Sequence, residues 1–397
     1  MLAVALAAVS INASGWRYQV DIDVYRQGAR AILQQPGELY FQDYPTASSA
    51  LPFTYPPFAA FLLTPLALLE QFPAEILMTV LSAGCLWWCL RTTMALAQMQ
   101  HLALPATTCG LLLEPVTSTL TFGQINILLM ALVIHDCLRP ERIIPRGILT
   151  GIATAIKLTP GVLFLYFLAR KDYRSACWMG GAFIVTTALT ALVRWQDSWQ
   201  YFSATLWNAE RIGEPHNSTN VAMMAALFRA GIPGVWPWFV LALGIFTYWA
   251  ACRARVNATA LIAIAIFGLI ASPISWSHHW VWLLPGIVIA WVFHMRWWAW
   301  WALGATTIGQ FHKWLPHGEW TPIQNLMAIH YVILGCTFIA ATFASAPEPY
   351  MRSGASRRRY AASFEAFQQP RRTAPVIAGC SGVGHRRIRS GLGGQRQ

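Results

Sequence analysis

Charge is what this chain has least of. Only 11% of its 397 residues are Asp, Glu, Lys or Arg, against roughly 25% in an ordinary soluble domain. A water-soluble globule of this size cannot cover its surface with so few charges. Acids are scarcest, 16 in all, too sparse to build an oxygen-rich metal site. None of the eight cysteines forms a CxxC pair, and Cys85 and Cys89 sit one helical turn apart in an apolar run. That pattern excludes a zinc site and a disulfide framework. No glycine-rich phosphate loop is present. The net charge of +12 is also misleading, since residues 344–397, with ten arginines and two glutamates, supply +8 of it. The basic excess is a tail and not a nucleic-acid-binding face. What is abundant is apolar: 56% hydrophobic residues and 20 tryptophans. Together these predict an all-α, polytopic membrane bundle.

Residues 1–11 are apolar but shorter than the roughly 20 residues that span a bilayer, and read as the end of a first spanning helix. Residues 14–54 form a long polar stretch. Apolar segments follow near 55–70, 76–98, 103–117, 119–138, 147–168, 175–193, 233–252, 256–272, 280–295, 297–311 and 325–343. They predict 10–12 membrane segments. The second polar loop is 194–222 and the third 313–324. The domain reading is a membrane domain over 1–343 and a disordered basic cytoplasmic tail over 344–397.

Basic residues orient the segments. The short loops 139–146 and 169–174, Arg253 with Arg255, and Arg296 are basic. Placing them in the cytoplasm puts 14–54, 194–222, 272–279 and 313–324 outside. Segment 147–168 breaks the alternation. It has basic loops at both ends and is interrupted by Lys157 and Pro160, which suggests two half-helices.

Four motifs carry polar groups where polar groups are costly. VDIDVYRQGA (20–29) holds Asp21, Asp23 and Tyr25, and LPFTYPP (51–57) adds Tyr55 on a rigid turn into the bilayer. EPVTSTLTFGQIN (114–126) holds Glu114, Gln124 and Asn126. The last two are either helix–helix hydrogen-bonding groups or substrate contacts. KLTP (157–160) offers Lys157 at a break, reaching either for an anion or for the interface. SPISWSHHW (272–280) sets His278 and His279 between Trp276 and Trp280, reading either as phosphate contacts or as aromatic-belt packing. Adjacent histidines point about 100° apart on a helix, which makes a metal pair poor. In loop 194–222, Arg211, His216 and Asn217 are candidate phosphate or sugar contacts; Asn217 also heads an Asn-Ser-Thr sequon.

The ordered series DIDVYRQGA, LPFTYPPFAAFLLTPL, FGQINILL, GIATAIKLTPG and SPISWSHHWVW resembles the actinobacterial polyprenol-phosphate-mannose-dependent α-(1-2)-mannosyltransferases, integral-membrane glycosyltransferases of the GT-C type. The resemblance covers about residues 16–285. It implies a GT-C bundle with an extracytoplasmic layer of loops and short helices, in a bacterial plasma membrane, working in cell-envelope synthesis. The implied donor is polyprenyl-phosphate mannose. The implied acceptor is a mannosylated glycolipid: phosphatidylinositol mannoside, lipomannan or lipoarabinomannan. Neither metal nor other cofactor is expected, and the partners are the two lipids and the bilayer.

The family's D-x-x-V-Y acid falls on Asp21, the implied general base, with Asp23 an additional acid. Lys157, His278, His279 and Arg211 are the candidates for the donor phosphate. Tyr25, Tyr55, Glu114, Gln124, Asn126, Asn217, Trp276 and Trp280 are the candidates for substrate binding. Transfer of lipid-linked arabinofuranose on the same scaffold, a lipid or solute transporter, and a non-catalytic scaffold are the alternatives. The chain has no internal repeat of YPP, KLTP or HHW, which disfavours a transporter.

Overall fold

The computed structural model describes residues 18–344, apart from 48, 141–142, 209–210, 212, 214–216 and 316–319. The expectations for residues 1–11, the tail from 345, His216 and Cys380 lie outside the described residues.

The polar stretch before residue 54 is not simply a loop. It opens with helix α1 (Val20–Gln34), which buries Ile22, Tyr25, Ala29 and Ile32 on one face, the i, i+3, i+4 spacing of an amphipathic helix. A two-stranded antiparallel hairpin follows, β1 (Asp43–Pro45) with β2 (Ala50–Pro52). The remaining elements are helical: α2 (Pro57–Leu62), α3 (Gln71–Ala95), α4 (Ala103–Gly110), α5 (Glu114–Phe122), α6 (Asn126–Leu138), α7 (Ile148–Ile156), α8 (Phe164–Ala169), α9 (Tyr173–Val193) and α10 (Trp195–Ser203). Then come α11 (Trp236–Arg253), α12 (Asn257–Ala271), α13 (Leu283–Val292), α14 (Arg296–Thr307) and α15 (His330–Ala344), with several short helices between them.

Among the described residues, three helices are long and apolar enough to cross a membrane: Gln71–Ala95, Tyr173–Val193 and Pro233–Arg253. Counting each bent pair, α5 with α6 (118°) and Pro322–Ala328 with α15 (61°), as one span raises the number to five. Hydropathy along the sequence suggests more spans because it registers apolar residues whether or not one continuous helix carries them. Segments 280–295 and 297–311 yield helices of 10 and 12 residues, about 15–18 Å long at 1.5 Å per residue.

The bundle has two chemically distinct ends. At one end, arginines lie over aromatic rings: Arg139 over Trp88 at 4.9 Å, Arg253 over Phe343 at 5.0 Å and Arg296 over Trp291 at 5.5 Å. Arg170 joins them, donating to the carbonyls of Ala251 and Ala254 at 3.2 and 2.8 Å. At the other end lie α1, the hairpin, α10 and the turn around 272–279. There Asp197 of α10 accepts from the backbone N–H groups of Gly37 and Leu39, and Ser275 pairs with Val221 through its carbonyl.

Segment 147–168 is a re-entrant hairpin. Its first leg, α7, leaves the arginine-rich end and its last, α8, returns there, where Arg146 and Asp172 pair at 3.5 Å across its base. Lys157 stands at the tip. Basic loops at both ends of this segment are thereby explained. The first leg runs parallel to α9 in close contact. A Cβ on Gly147 would lie 2.1 Å from the Ser175 carbonyl oxygen, and one on Gly151 2.3 Å from that of Met179. Two glycines four apart permit this approach. The leg's start is fixed by Asp136, buried in α6. Its carboxylate accepts from the N–H of Gly147 (2.9 Å), the N–H of Thr150 (3.0 Å) and the Thr150 hydroxyl (2.7 Å). An anion at a helix N-terminus is favoured by both the free N–H groups and the dipole. Asp136→Ala should therefore cost about 2–4 kcal/mol, because it strands buried donors. The measurement is the thermal midpoint of detergent-purified protein; an unchanged midpoint would remove Asp136 from this role.

Candidate active site

Two interruptions of helix build the site. The first is the turn between α5 and α6. Gly123 caps α5 in the left-handed region (φ 76°), a conformation that favours glycine, and Gln124 and Asn126 follow it. The second is the hairpin tip, where Pro160 denies the helix a backbone donor and leaves Lys157 extended (φ −149°, ψ 126°).

Asp21, half-buried in the first turn of α1, accepts from the Gln124 side-chain amide at 2.8 Å. The Gln124 carbonyl oxygen accepts from the hydroxyls of Tyr55 (3.0 Å) and Tyr25 (3.4 Å), which are 2.9 Å from each other. These donors fix the orientation of the amide, so its NH₂ faces the carboxylate. Burial pushes the Asp21 carboxyl up to about 6, against the opposing pull of the Gln124 hydrogen bond and the Lys157 charge. A carboxyl tuned toward neutrality by burial is matched to proton transfer.

Lys157 donates to the Asn126 side-chain oxygen at 2.8 Å and lies 3.3 Å from His279 Nε2. Its Nζ is 5.1 Å from the centre of the Tyr55 ring. Asn126 and Thr119 both donate to the His278 carbonyl, at 3.2 and 2.7 Å, tying the histidine turn to the α5–α6 bend. His278 is 8% exposed. Its ring contacts Phe122 edge-on and lies parallel to Trp276, and its Nε2 is buried without a hydrogen-bond partner among the described residues.

From this polar head an apolar groove runs between α6, the hairpin and α12. Asn126, Lys157 and His279 form its head, and Leu129, Met130, Val162, Leu163, Leu269 and Trp282 are among its walls. A carboxylate, a cation, two imidazoles and the head of an apolar groove thus lie close together. Asp21, Tyr25, Tyr55, Gln124, Asn126, Lys157, His278 and His279 are brought together from five stretches of sequence.

Other candidates fall elsewhere. Asp23 lies two positions from Asp21, about 200° around the helix. It accepts from the Tyr18 hydroxyl and faces Arg26 at 3.8 Å, so it braces α1 and does not share the site. Trp280 is fully buried, donates to the Ser275 hydroxyl and packs on Tyr331; its face is not open to a sugar. Glu114 is 1% exposed, and both its oxygens are engaged inside the protein. One accepts from Ser118 (2.6 Å) and Ser277 (2.9 Å) and faces Lys313 (3.2 Å) and His312 (3.6 Å); the other accepts from Tyr331 (2.8 Å). It is a hub joining α5, the histidine turn, the 311–314 turn and α15. The Asn217 oxygen accepts from the backbone and hydroxyl of Thr219, a local turn. Arg211 lies near Tyr40 and Tyr44 and makes no polar contact with the cluster.

Sequence reasoning did not identify Thr119, Lys313 or His312. Lys313 begins the third polar loop, but nothing local marks Glu114, about 200 positions earlier, as its partner.

Residues 53–273 match glycosyltransferase family 87. A polyprenol-phosphate-mannose-dependent α-(1-2)-phosphatidylinositol mannoside mannosyltransferase of Mycobacterium tuberculosis is 38% identical over 321 residues, 72% of this chain and 74% of the relative. Its namesake in Mycolicibacterium smegmatis is 37% identical over 354 residues, 79% of each chain. A polyprenol-phosphate-mannose-dependent α-(1-2)-phosphatidylinositol pentamannoside mannosyltransferase of M. smegmatis is 34% identical over 314 residues, 74% of this chain and 76% of the relative. No solved structure matches the chain. With its helical membrane bundle, this chain belongs to glycosyltransferase family 87 and is a membrane glycosyltransferase.

Proposed function

We propose that this enzyme transfers mannose from polyprenyl-phosphate mannose to a mannosylated glycolipid of the phosphatidylinositol mannoside kind, with inversion, outside the cytoplasm of a bacterial cell. One observation carries the reading: a half-buried carboxylate held by Gln124 lies within electrostatic reach of the lysine that heads an apolar groove. A lipid-linked sugar phosphate has this complementary form, an apolar tail, an anion and a sugar in series.

In the reaction, Asp21 takes the proton of the acceptor hydroxyl as its oxygen bonds to the anomeric carbon. The bond from that carbon to the phosphate oxygen breaks, and its electron pair leaves with the lipid phosphate. Lys157 and His279, with the free His278 Nε2, meet the growing negative charge, the preorganised stabilisation that catalysis of group transfer most needs. One displacement on a β-linked donor gives an α-linkage. Trp276, partly exposed beside His278, supplies an aromatic face for sugar, while buried Tyr55 orients Gln124. The groove walls take the first isoprenoid units. No step requires a metal or other cofactor.

The sidedness rests on charge. The site and the arginine-rich end lie at opposite ends of α6 and α12, and short basic loops stay in the cytoplasm. The three relatives, by name, use polyprenol-phosphate mannose, which favours mannose over arabinofuranose.

The test uses detergent-purified full-length protein with synthetic polyprenyl-phosphate mannose and a phosphatidylinositol mannoside, in EDTA. A product one hexose heavier is expected, and none from a nucleotide-linked mannose. Product only from a polyprenyl-phosphate pentose would overturn the sugar assignment; product lost on chelation would overturn the metal-free one.

A further inference from the structure

We propose a second anion site at the arginine-rich end of the bundle, built to hold the phosphate of an anionic phospholipid headgroup. A polar cavity there, of about 250 Å³, is lined by Arg146, Tyr166, Phe167, Arg170, Asp172 and Asn257. It lies at the far end of the 15-residue helix α12 from the sugar-transfer site, about 22 Å away at 1.5 Å per residue.

The polar groups facing this cavity are chiefly donors. Arg146 has a buried Nε without a hydrogen-bond partner. Tyr166 is 1% exposed and lines the cavity, bringing a phenol that can donate to an anion. Asn257 opens α12, whose N-cap, Val256, has no side-chain acceptor to offer the first turn. Those free N–H groups and the positive end of the helix dipole add to the anion field. Arg170 brings a second guanidinium, anchored by the Ala251 and Ala254 carbonyls.

The one acid, Asp172, is already engaged. It pairs with Arg146 at 3.5 Å and accepts from the Ser175 backbone (3.2 Å) and hydroxyl (2.8 Å). A tetrahedral oxyanion satisfies the remaining donors together, and guanidinium forks fit phosphate oxygens in pairs. The surroundings select the lipid over a free ion. The cavity shares its end of the bundle with arginines lying over Trp88, Trp249 and Trp291, the aromatic and cationic composition of a membrane interface, where headgroup phosphates lie.

Arg146 precedes the first leg of the re-entrant hairpin and Arg170 follows the second. A phosphate between them clasps the hairpin at its base, opposite the tip that carries Lys157.

The experiment measures thermal unfolding of delipidated full-length protein with phosphatidylglycerol, phosphatidylcholine or inorganic phosphate. Wild type, Arg146→Gln and Tyr166→Phe are compared, all with the basic tail. Phosphatidylglycerol is expected to raise the wild-type midpoint by about 2–5 °C and phosphatidylcholine to leave it unchanged. Each variant should lose more than half of that rise. Tyr166→Phe removes a single hydroxyl, so it reports on the site even if the arginine variant fails to fold. A full rise in both variants, or an equal rise with phosphatidylcholine, overturns the proposal. Stabilisation by inorganic phosphate but not by phosphatidylglycerol overturns the lipid assignment in favour of a soluble phosphate.

Discussion

Asp21→Asn should lower kcat by about 10²–10⁴-fold, the usual worth of a positioned general base, while the protein stays folded. The amide has nearly the carboxylate's shape and still reaches Gln124, so the α1–Gln124 contact survives. The pH profile separates a base from a mere structural contact. Because burial holds the Asp21 carboxyl near 6, wild-type kcat/KM should fall on the acid side with a midpoint near that value. The residual activity of the asparagine variant should lack that limb. Stability should move the opposite way. A carboxyl raised in the folded state adds stability that is complete below its unfolded value near 4 and is lost as pH rises through about 6. At neutral pH the ionised, half-buried Asp21 is thus a cost that asparagine removes. An inactive variant at least as stable as wild type at pH 7.5 is the expected result. Wild-type-like rates in Asp21→Asn would exclude it as the base.

The contrast between Asp21 and Glu114 indicates how much of the site was legible in the sequence. Both are acids beside apolar runs, and cost alone marks both as special. They differ in partners that arrive from far away. Asp21 meets one amide donor and a lysine within electrostatic reach; Glu114 is surrounded by Ser118, Ser277, His312, Lys313 and Tyr331. No window of sequence contains that difference. Trp280 fails for the same reason. A tryptophan after two histidines reads as an interface residue until its neighbour Tyr331, 51 positions later, closes over it. Lys157 was legible because a charge and a proline inside an apolar run leave few options. Basic loops on both sides of one segment already hinted at a hairpin. The helix in the 14–54 stretch was missed because Asp21, Asp23 and Arg26, half-buried or buried against other elements, interrupt the apolar pattern of its inner face. Asp136 was not recognised at all, since an acid near a basic loop ordinarily needs no explanation.

Lys157→Met should lower kcat by about 10²–10³-fold, the scale seen when one preorganised partner of a developing anion is removed. Its position supports a role in the transition state more than in simple binding. It stands at the mouth of the groove, held by Asn126 at 2.8 Å and facing His279 at 3.3 Å. The lipid tail contributes its apolar contacts to ground state and transition state alike, so KM should move much less than kcat. The lysine also acts on Asp21, lowering a carboxyl that burial raises. Removing its charge should therefore shift the acid limb of the pH profile upward from about 6. No other assignment of the lysine gives both results. A residue that only props the hairpin would lower the thermal midpoint and leave the limb in place; a residue that only binds the donor would raise KM alone. Lys157→Arg keeps the charge but not the compact geometry, so it should restore the limb toward its wild-type position while recovering only part of kcat. A wild-type limb in Lys157→Met would place its ammonium out of reach of Asp21, and the paired roles proposed for the two groups would fail together.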